Sequence, residues 1–262
     1  MLRAKQQNLP TRAAAMAYVD LVVRDCLAKG LRLMLGFDFP FSYPAGAVAA
    51  AGGVLGCRPQ WSGIWQCLQA RVVDGPDNVN NRFDVANMLN KESGIRFFWG
   101  RPQASSYEYL SSLPPTDVVP TGLRANPCAR LRLTETLAGG AKSVWQLYGH
   151  GSVGSQALVG LARLEQVRRA YPEQVAVWPF DTGVSALRAD YERPVTLVEI
   201  WPGAVPVDPD LGSVPDEAEV RSLVRWCASR EARGDWEEWL APTSARSAVP
   251  RVLEEGWILG VR

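Results

Sequence analysis

Three acidic residues lie in or directly after apolar runs of the sequence, and they are the side chains best placed to do chemistry. Asp38 interrupts LRLMLGFDFPF, Asp181 follows VAVWPF, and Glu199 lies inside VTLVEIW. A carboxylate in such surroundings loses hydration, so it stays ionised only when it is paired or bound to a metal ion. Converging carboxylates also repel one another unless a cation lies between them. The pattern predicts a cation site, and Mg²⁺ fits it because this ion prefers hard oxygen ligands.

The chemistry predicted from these acids is phosphodiester hydrolysis. Asp38 and Glu199 are the expected ligands of Mg²⁺ or Mn²⁺, and Asp181 is a further catalytic residue in this prediction. Two such ions about 4 Å apart can activate a water molecule and stabilise a leaving phosphate oxygen. The structural alternative is that each acid pairs with an arginine or caps a turn. That alternative is strongest for Asp181, which begins the turn-like sequence DTG.

Contacts to substrate phosphates are predicted from side chains elsewhere in the sequence. The segment DGPDNVNNRFDVAN at 74–87 offers several polar groups, of which Asn81 and Arg82 are the expected substrate contacts. Lys142 is expected to steady a phosphate through its charge. The same 74–87 segment fits equally well a turn followed by a helix cap.

A glycine-rich motif offers a competing interpretation. GHGSVG at 149–154 spells GxGxxG and precedes a predicted helix, an arrangement in which backbone amides can hold a phosphate. The residues expected to do so are Gly149, Gly151, Ser152 and Gly154. As a dinucleotide fingerprint the motif is weak, because the next strand-end acid follows Gly154 by 27 residues rather than about 20. His150, the single histidine, is predicted to be an exposed turn residue.

The elements that must position these residues alternate between helices and strands. Apolar periodicity predicts helices over 12–29, 60–73, 81–92 and 215–232, with a shorter helix within 44–56. It predicts strands over 31–37, 174–180 and 195–201, and a strand, glycine turn and long helix over 141–171. The proline-rich segment 94–140 is predicted to be an irregular insertion or lid within one domain that spans 1–262. This order predicts an α/β fold with a mainly parallel sheet, in which ligands bind at the carboxyl ends of the strands.

Composition narrows the class of protein. The 262 residues include 28 basic and 27 acidic side chains, so overall charge gives no case for nucleic-acid binding, although a local groove is compatible with it. The five cysteines are scattered without a CxxC pair, which argues against a disulfide framework and a zinc site. The sequence has no apolar run of membrane-spanning length and no secretory signal at its start. A cytoplasmic protein without a membrane segment is therefore predicted.

Several segments together resemble a group of uncharacterised bacterial proteins that is common in alphaproteobacteria. They are GFDFPFSYPAG, DGPDNVNNRF, SVWQLYGHGSVGSQALVG, VAVWPFDTG, LVEIWPG and EEGWILG. Some members of that group carry automatic labels that connect them to molybdopterin guanine dinucleotide or cobalamin synthesis. The Asp-x-Pro at 38–40 and the Glu-x-x-Pro at 199–202 also resemble a broader family with a predicted RNase H-like fold.

The resemblance implies roles for the two main acids. Asp38 would end the fourth strand of an RNase H-like sheet, and Glu199 would be the acid of the Glu-x-x-Pro motif. Relatives would begin with a β-hairpin that carries another aspartate, whereas this sequence starts at the following helix, so weak metal binding is expected. The leading hypothesis is an RNase H-like nuclease. The alternatives are a nucleotide- or dinucleotide-binding protein that uses the 149–154 turn, and a non-catalytic binding or assembly module.

Overall fold

A four-stranded parallel sheet forms the centre of the protein. The structure, a computed structural model, describes residues 7–56, 61–114, 122–184 and 193–262. Its strands are Leu33–Phe37 (β1), Ile95–Arg96 (β2), Arg124–Ala125 (β3), Val175–Val177 (β4), Val195–Ile200 (β5) and Ile258–Leu259 (β6). In the main sheet β1 pairs with one side of β5, while β4 and β6 pair with the other side, and β2 and β3 form a separate pair. Every pairing of the main sheet is parallel.

Helices cover both faces of this sheet. The longer ones are Arg12–Ala28 (α1), Trp61–Arg71 (α3), Arg82–Ser93 (α4), Gly154–Ala170 (α6) and Pro215–Arg233 (α7). The shorter ones are Ala47–Ala50 (α2), Leu133–Ala138 (α5), Trp236–Leu240 (α8), Thr243–Arg246 (α9) and Val249–Glu255 (α10). None of the helices in the described ranges combines the length and apolarity needed to cross a membrane.

Side chains divide between two apolar clusters because successive residues of a strand point to opposite faces. Leu33, Leu35 and Phe37 of β1 join Val195 and Leu197 of β5 in one cluster, which also contains residues of α1, α3 and α6. The opposite face carries a second cluster around Trp178, Trp257, Val198 and Leu240, against which Met34 packs. Residues 195–199 of β5 are all buried, which fits a strand covered on both faces.

Most predicted elements are confirmed. The helices predicted over 12–29, 60–73, 81–92 and 215–232 match α1, α3, α4 and α7, and the predicted strands match β1, β4 and β5. Thr11 caps α1, because its Oγ1 accepts a hydrogen bond from the backbone N–H of Ala14 at 3.1 Å. The α/β class with a parallel sheet flanked by helices is therefore confirmed.

The strand predicted after residue 141 is wrong. Residues 144–145 form a turn, in which the N–H of Gln146 donates to the carbonyl of Ser143 at 3.1 Å. The segment makes only an isolated parallel β-bridge, between Gln146 and Trp99, and the buried Trp145 ring donates its indole N–H to the carbonyl of Ala129 at 3.1 Å. The predicted irregular segment 94–140 contains only β2, β3 and α5, and its residues 115–121 lie outside the described part of the chain.

Candidate functional site at the carboxyl edge of the sheet

Asp38 lies one residue beyond the carboxyl end of β1, at a small cavity. The cavity measures about 50 Å³, and its lining includes Lys142, Glu199 and Trp201. Asp38 itself is exposed to solvent. Among the residues that the structure describes, none makes a hydrogen bond or an ion pair with its carboxylate. The chain thus presents an uncompensated carboxylate at the edge where α/β proteins bind ligands.

The electrostatic surroundings of Asp38 disfavour its negative charge. Partial burial, followed by the charges of Glu219, Glu199 and Asp216, raises the pKa of Asp38 to about 6. Two of these neighbours belong to the first turns of α7, so the acids converge from different elements of the fold. A cation placed here would relieve both the desolvation and the repulsion.

Glu199 reaches the same cavity but is already neutralised. It is 2 % exposed, and its two oxygens accept hydrogen bonds from the Arg132 guanidinium, Oε1 at 2.5 Å and Oε2 at 2.8 Å. Oε2 also accepts the backbone N–H of Phe41 at 2.9 Å. The structure therefore brings Asp38 and Glu199 to one cavity, as predicted, but commits Glu199 to an internal ion pair.

Arg132 is the centre of a buried charge network. Its side chain is fully buried, and its Nε donates to Glu135 at 2.9 Å while Nη1 donates to the backbone carbonyl of Glu255 at 2.9 Å. Burial by itself lowers the pKa of Arg132, but Glu135 and Glu199 outweigh that effect and raise it. Burial raises the pKa of Glu135 in spite of the adjacent guanidinium.

The network orients the segment that carries Asp38. Glu199 fixes the backbone at Phe41, and the Glu255 carboxylate accepts the backbone N–H groups of Ala45 and Leu133 at 2.8 and 2.7 Å. The prediction that Glu199 and Asp38 share a metal ion stays a prediction, and in this structure the Glu199 oxygens are occupied by hydrogen bonds from Arg132 and the Phe41 N–H. Sequence reasoning missed Arg132, although Arg132 and Glu135 lie at the i, i+3 spacing of a local ion pair.

Asp181 makes the contacts expected of its structural alternative, a residue that caps a turn. Its Oδ2 accepts the backbone N–H of Val177 at 2.9 Å, and its own N–H donates to the Val177 carbonyl at 2.8 Å. The Arg193 guanidinium lies 3.7 Å from the same carboxylate. Asp181 thus closes the turn that follows β4, and it does not line the Asp38 cavity.

Asn81 and Arg82 also serve the fold. The Asn81 side chain accepts the N–H of Val73 at 2.8 Å and donates to the carbonyl of Arg71 at 3.0 Å, which closes the loop between α3 and α4. Arg82 donates from Nε to Ser155 Oγ at 3.0 Å and packs over the Phe83 ring at 4.4 Å. Neither residue lines the Asp38 cavity, so the structure does not place the predicted phosphate contacts of Asn81 and Arg82 at that site.

The glycine turn precedes α6 but does not follow a strand of the sheet. Gly149 and Gly151 have φ of +109° and +69°, which explains the glycines, and the N–H groups of Ser152 and Gly154 bond to nearby carbonyls at 3.1 and 2.9 Å. A dinucleotide fingerprint requires a preceding strand. The geometry therefore gives the dinucleotide interpretation no support. A Cβ on Gly151 would lie 3.3 Å from the side chain of Lys142, so the turn borders the cavity through that lysine.

Gly154 is expected to be a packing glycine. Its missing Cβ would collide with the carbonyl oxygen of Val144 and lie 2.6 Å from that of Gln146. We expect Gly154→Ala to lower the free energy of unfolding by about 1–3 kcal/mol, measured by urea denaturation. The control Ser152→Ala should change it by less than about 0.5 kcal/mol. A Gly154→Ala protein as stable as wild type would contradict this role.

Comparisons with known proteins assign neither a family nor a function to the chain. The chain matches no family model, no curated protein and no solved structure. Within the described ranges, no group of three or more His, Cys, Asp and Glu side chains is arranged to hold a metal ion by itself. The site must therefore be interpreted from its own chemistry, which consists of a solvent-exposed carboxylate, an adjacent lysine and a buried ion-pair network.

Proposed function

We propose that this chain is a divalent-metal-dependent phosphodiesterase of the RNase H-like class, with its cation held at Asp38. The observation that carries the proposal is the uncompensated Asp38 carboxylate, directly after β1 and surrounded by further negative charge. The register Phe37 to Glu199 supports the RNase H-like class, because it sets the acids of two adjacent parallel strands at one edge of the sheet.

The donor set fits Mg²⁺ or Mn²⁺ held partly by the substrate. Mg²⁺ usually keeps several waters and binds through one or two carboxylates plus substrate phosphates, rather than in an all-protein cage. Asp38 supplies a direct oxygen ligand, and Asp216 and Glu219 add negative potential from α7. A bound ion of this kind lowers the pKa of its water and polarises a phosphoryl oxygen.

The remaining residues of the site would bind and orient the substrate. Lys142 lines the cavity beside Asp38, and its side chain is exposed, so its ammonium can contact a phosphate of a nucleic acid or nucleotide. Trp201 and Phe39 line the same cavity and limit its width. The Arg132–Glu199 pair holds Phe41 in place, and thereby the turn on which Asp38 is carried.

Direct Mn²⁺ titration separates the roles of the two acids. By isothermal titration calorimetry, Asp38→Asn is expected to weaken Mn²⁺ binding by at least about tenfold. The matched variant Glu199→Gln should weaken Mn²⁺ binding less than Asp38→Asn does, because its oxygens face Arg132 and the Phe41 N–H. Loss of Mn²⁺ binding in a folded Glu199→Gln protein, with binding retained in Asp38→Asn, would refute this assignment.

Mn²⁺ binding is expected to weaken on acidification. The pKa of Asp38 is raised to about 6, and a protonated carboxyl is a poor ligand, so affinity falls as the pH drops below that value. Between about pH 7.5 and about pH 5 we expect roughly a tenfold loss of Mn²⁺ affinity. The Asp38→Asn protein should change by no more than about twofold over the same range. A wild-type affinity independent of pH would argue against Asp38 as the ligand.

A further inference from the structure

The outer edge of β1 is an unpartnered strand edge. In the main sheet β1 pairs with β5 on one side, and within the described part of the chain no strand pairs with its other side. Gly36 is exposed, and the other residues of β1 are only partly buried. The apolar sequence LMLGF is typical of a strand inside a parallel sheet rather than of an edge.

The hydrogen bonds between β1 and β5 show which backbone N–H and C=O groups of β1 lie at its outer edge. The N–H of Leu33 donates to the carbonyl of Pro194 at 2.9 Å, so Leu33, Leu35 and Phe37 direct their backbone groups towards β5. The N–H and C=O groups of Met34 and Gly36 therefore point away from the sheet. An apolar edge with free donors and acceptors is a template for another strand.

The residues that flank β1 carry opposite charges. Arg32 precedes the strand and Asp38 follows it, and both are exposed. The extended residues of β1 are 33–37, and Asp38 lies in the bend that follows them, so the two charged side chains stand at opposite ends of the strand. The edge is thus positive at its start, apolar in its middle and negative at its end.

We propose that this edge pairs with β1 of a second copy of the chain, antiparallel and centred on Leu35. Each Arg32 then lies opposite the partner's Asp38, and Leu33 lies opposite the partner's Phe37. The outward backbone groups of Met34 bond with those of the partner's Gly36, which forms an antiparallel ladder across the two-fold axis. The two four-stranded sheets become one continuous sheet.

The charges of Arg32 and Asp38 favour the register centred on Leu35 over the neighbouring registers. Moving the pairing by one step in either direction sets Asp38 opposite the partner's Met34 or the partner's Gly30, and both ion pairs are lost. In the centred register the apolar residues of one face also meet apolar residues, with Leu35 against the partner's Leu35. Arginine has five donors, so Arg32 can serve a contact within its own chain as well as one across the interface.

The dimer would add a guanidinium to the candidate site and still leave the site able to bind a cation. Asp38, Asp216 and Glu219 contribute three negative charges, so one guanidinium from the partner leaves room for a divalent cation. That guanidinium would also provide a phosphate contact in addition to that of Lys142. The pairing itself is independent of the proposed hydrolysis, since it depends only on the strand edge and the flanking charges.

The experiment exchanges the charges of Arg32 and Asp38 and measures the molar mass of each variant by size-exclusion chromatography coupled to light scattering. The wild type is expected to have twice the 28.7 kDa mass of the chain. Arg32→Glu and Asp38→Arg should each weaken the dimer by at least about tenfold, because each creates two like-charge contacts. The double variant Arg32→Glu/Asp38→Arg should restore the dimer to within about threefold of wild type, although it destroys the proposed cation site.

Two further variants keep the test independent of folding defects. Arg225→Glu changes an exposed arginine on α7 and should leave the mass unchanged. Met34→Pro removes an outward N–H and should give a monomer; because it also removes a side chain that packs against the second cluster, its folding is checked by circular dichroism. A monomeric wild type, or a double variant that stays monomeric while folded, would overturn the proposed pairing.

Discussion

Replacement of Arg132 by methionine is expected to lower the free energy of unfolding by about 3–5 kcal/mol, since it leaves buried carboxylates without their cation. Arg132 is fully buried and holds Glu135 and Glu199, both of which are also buried. Methionine fills a similar volume, so the loss would come mainly from charge rather than from a cavity. Urea denaturation followed by tryptophan fluorescence would measure it.

The control for this variant lies two residues away. Arg130 is exposed, and Arg130→Met should change the free energy of unfolding by less than about 0.5 kcal/mol. The triple variant Arg132→Met/Glu135→Gln/Glu199→Gln should regain part of the loss, because it removes the orphaned charges together with their partner. An Arg132→Met protein with wild-type stability would show that the carboxylates do not depend on this guanidinium.

Replacement of Asp38 by asparagine is expected to reduce Mn²⁺-dependent phosphodiester cleavage by at least about 100-fold. Asparagine keeps the size of the side chain but removes the charge that would hold the cation. The assay would use single- and double-stranded DNA and RNA with Mn²⁺, and initial rates would be compared at equal protein concentration. Folding of the variant would be checked by its thermal unfolding midpoint.

Asp25→Asn is the matched control for the cleavage assay. Asp25 lies on the solvent side of α1, where it pairs with Lys29 at 2.6 Å, and its replacement should leave the rate within about twofold of wild type. Cleavage by Asp38→Asn at the wild-type rate would refute the proposed site. A wild type without activity on all four substrates would refute the proposed function but not the strand pairing, which is measured by mass.

The spacing of apolar residues along the sequence predicted most helices and strands, because each of these elements buries one side of a short stretch of chain. The apolar spacing of 12–29 and 215–232 predicts α1 and α7, and the Thr11 cap could be recognised from its position before the first turn. The run before Asp38 predicts β1, and Asp38 therefore had to lie at the carboxyl end of a strand. Around residues 141–147 the same pattern was misleading, because the apolar side chains there are buried in a turn and an isolated β-bridge rather than in a strand.

The sequence by itself determined that acids end two strands of a parallel α/β sheet, but only the tertiary structure decided how each acid is used. Glu199 and Arg132 are 67 positions apart, and no local pattern indicates that they form a buried ion pair. Asp181 and Asp38 both follow apolar strands, yet the first carboxylate caps its own turn while the second has no hydrogen-bond or ion-pair partner among the described residues. The physical reason is that secondary structure depends mainly on nearby residues, whereas compensation of a charge depends on which distant groups the fold brings within a few ångströms.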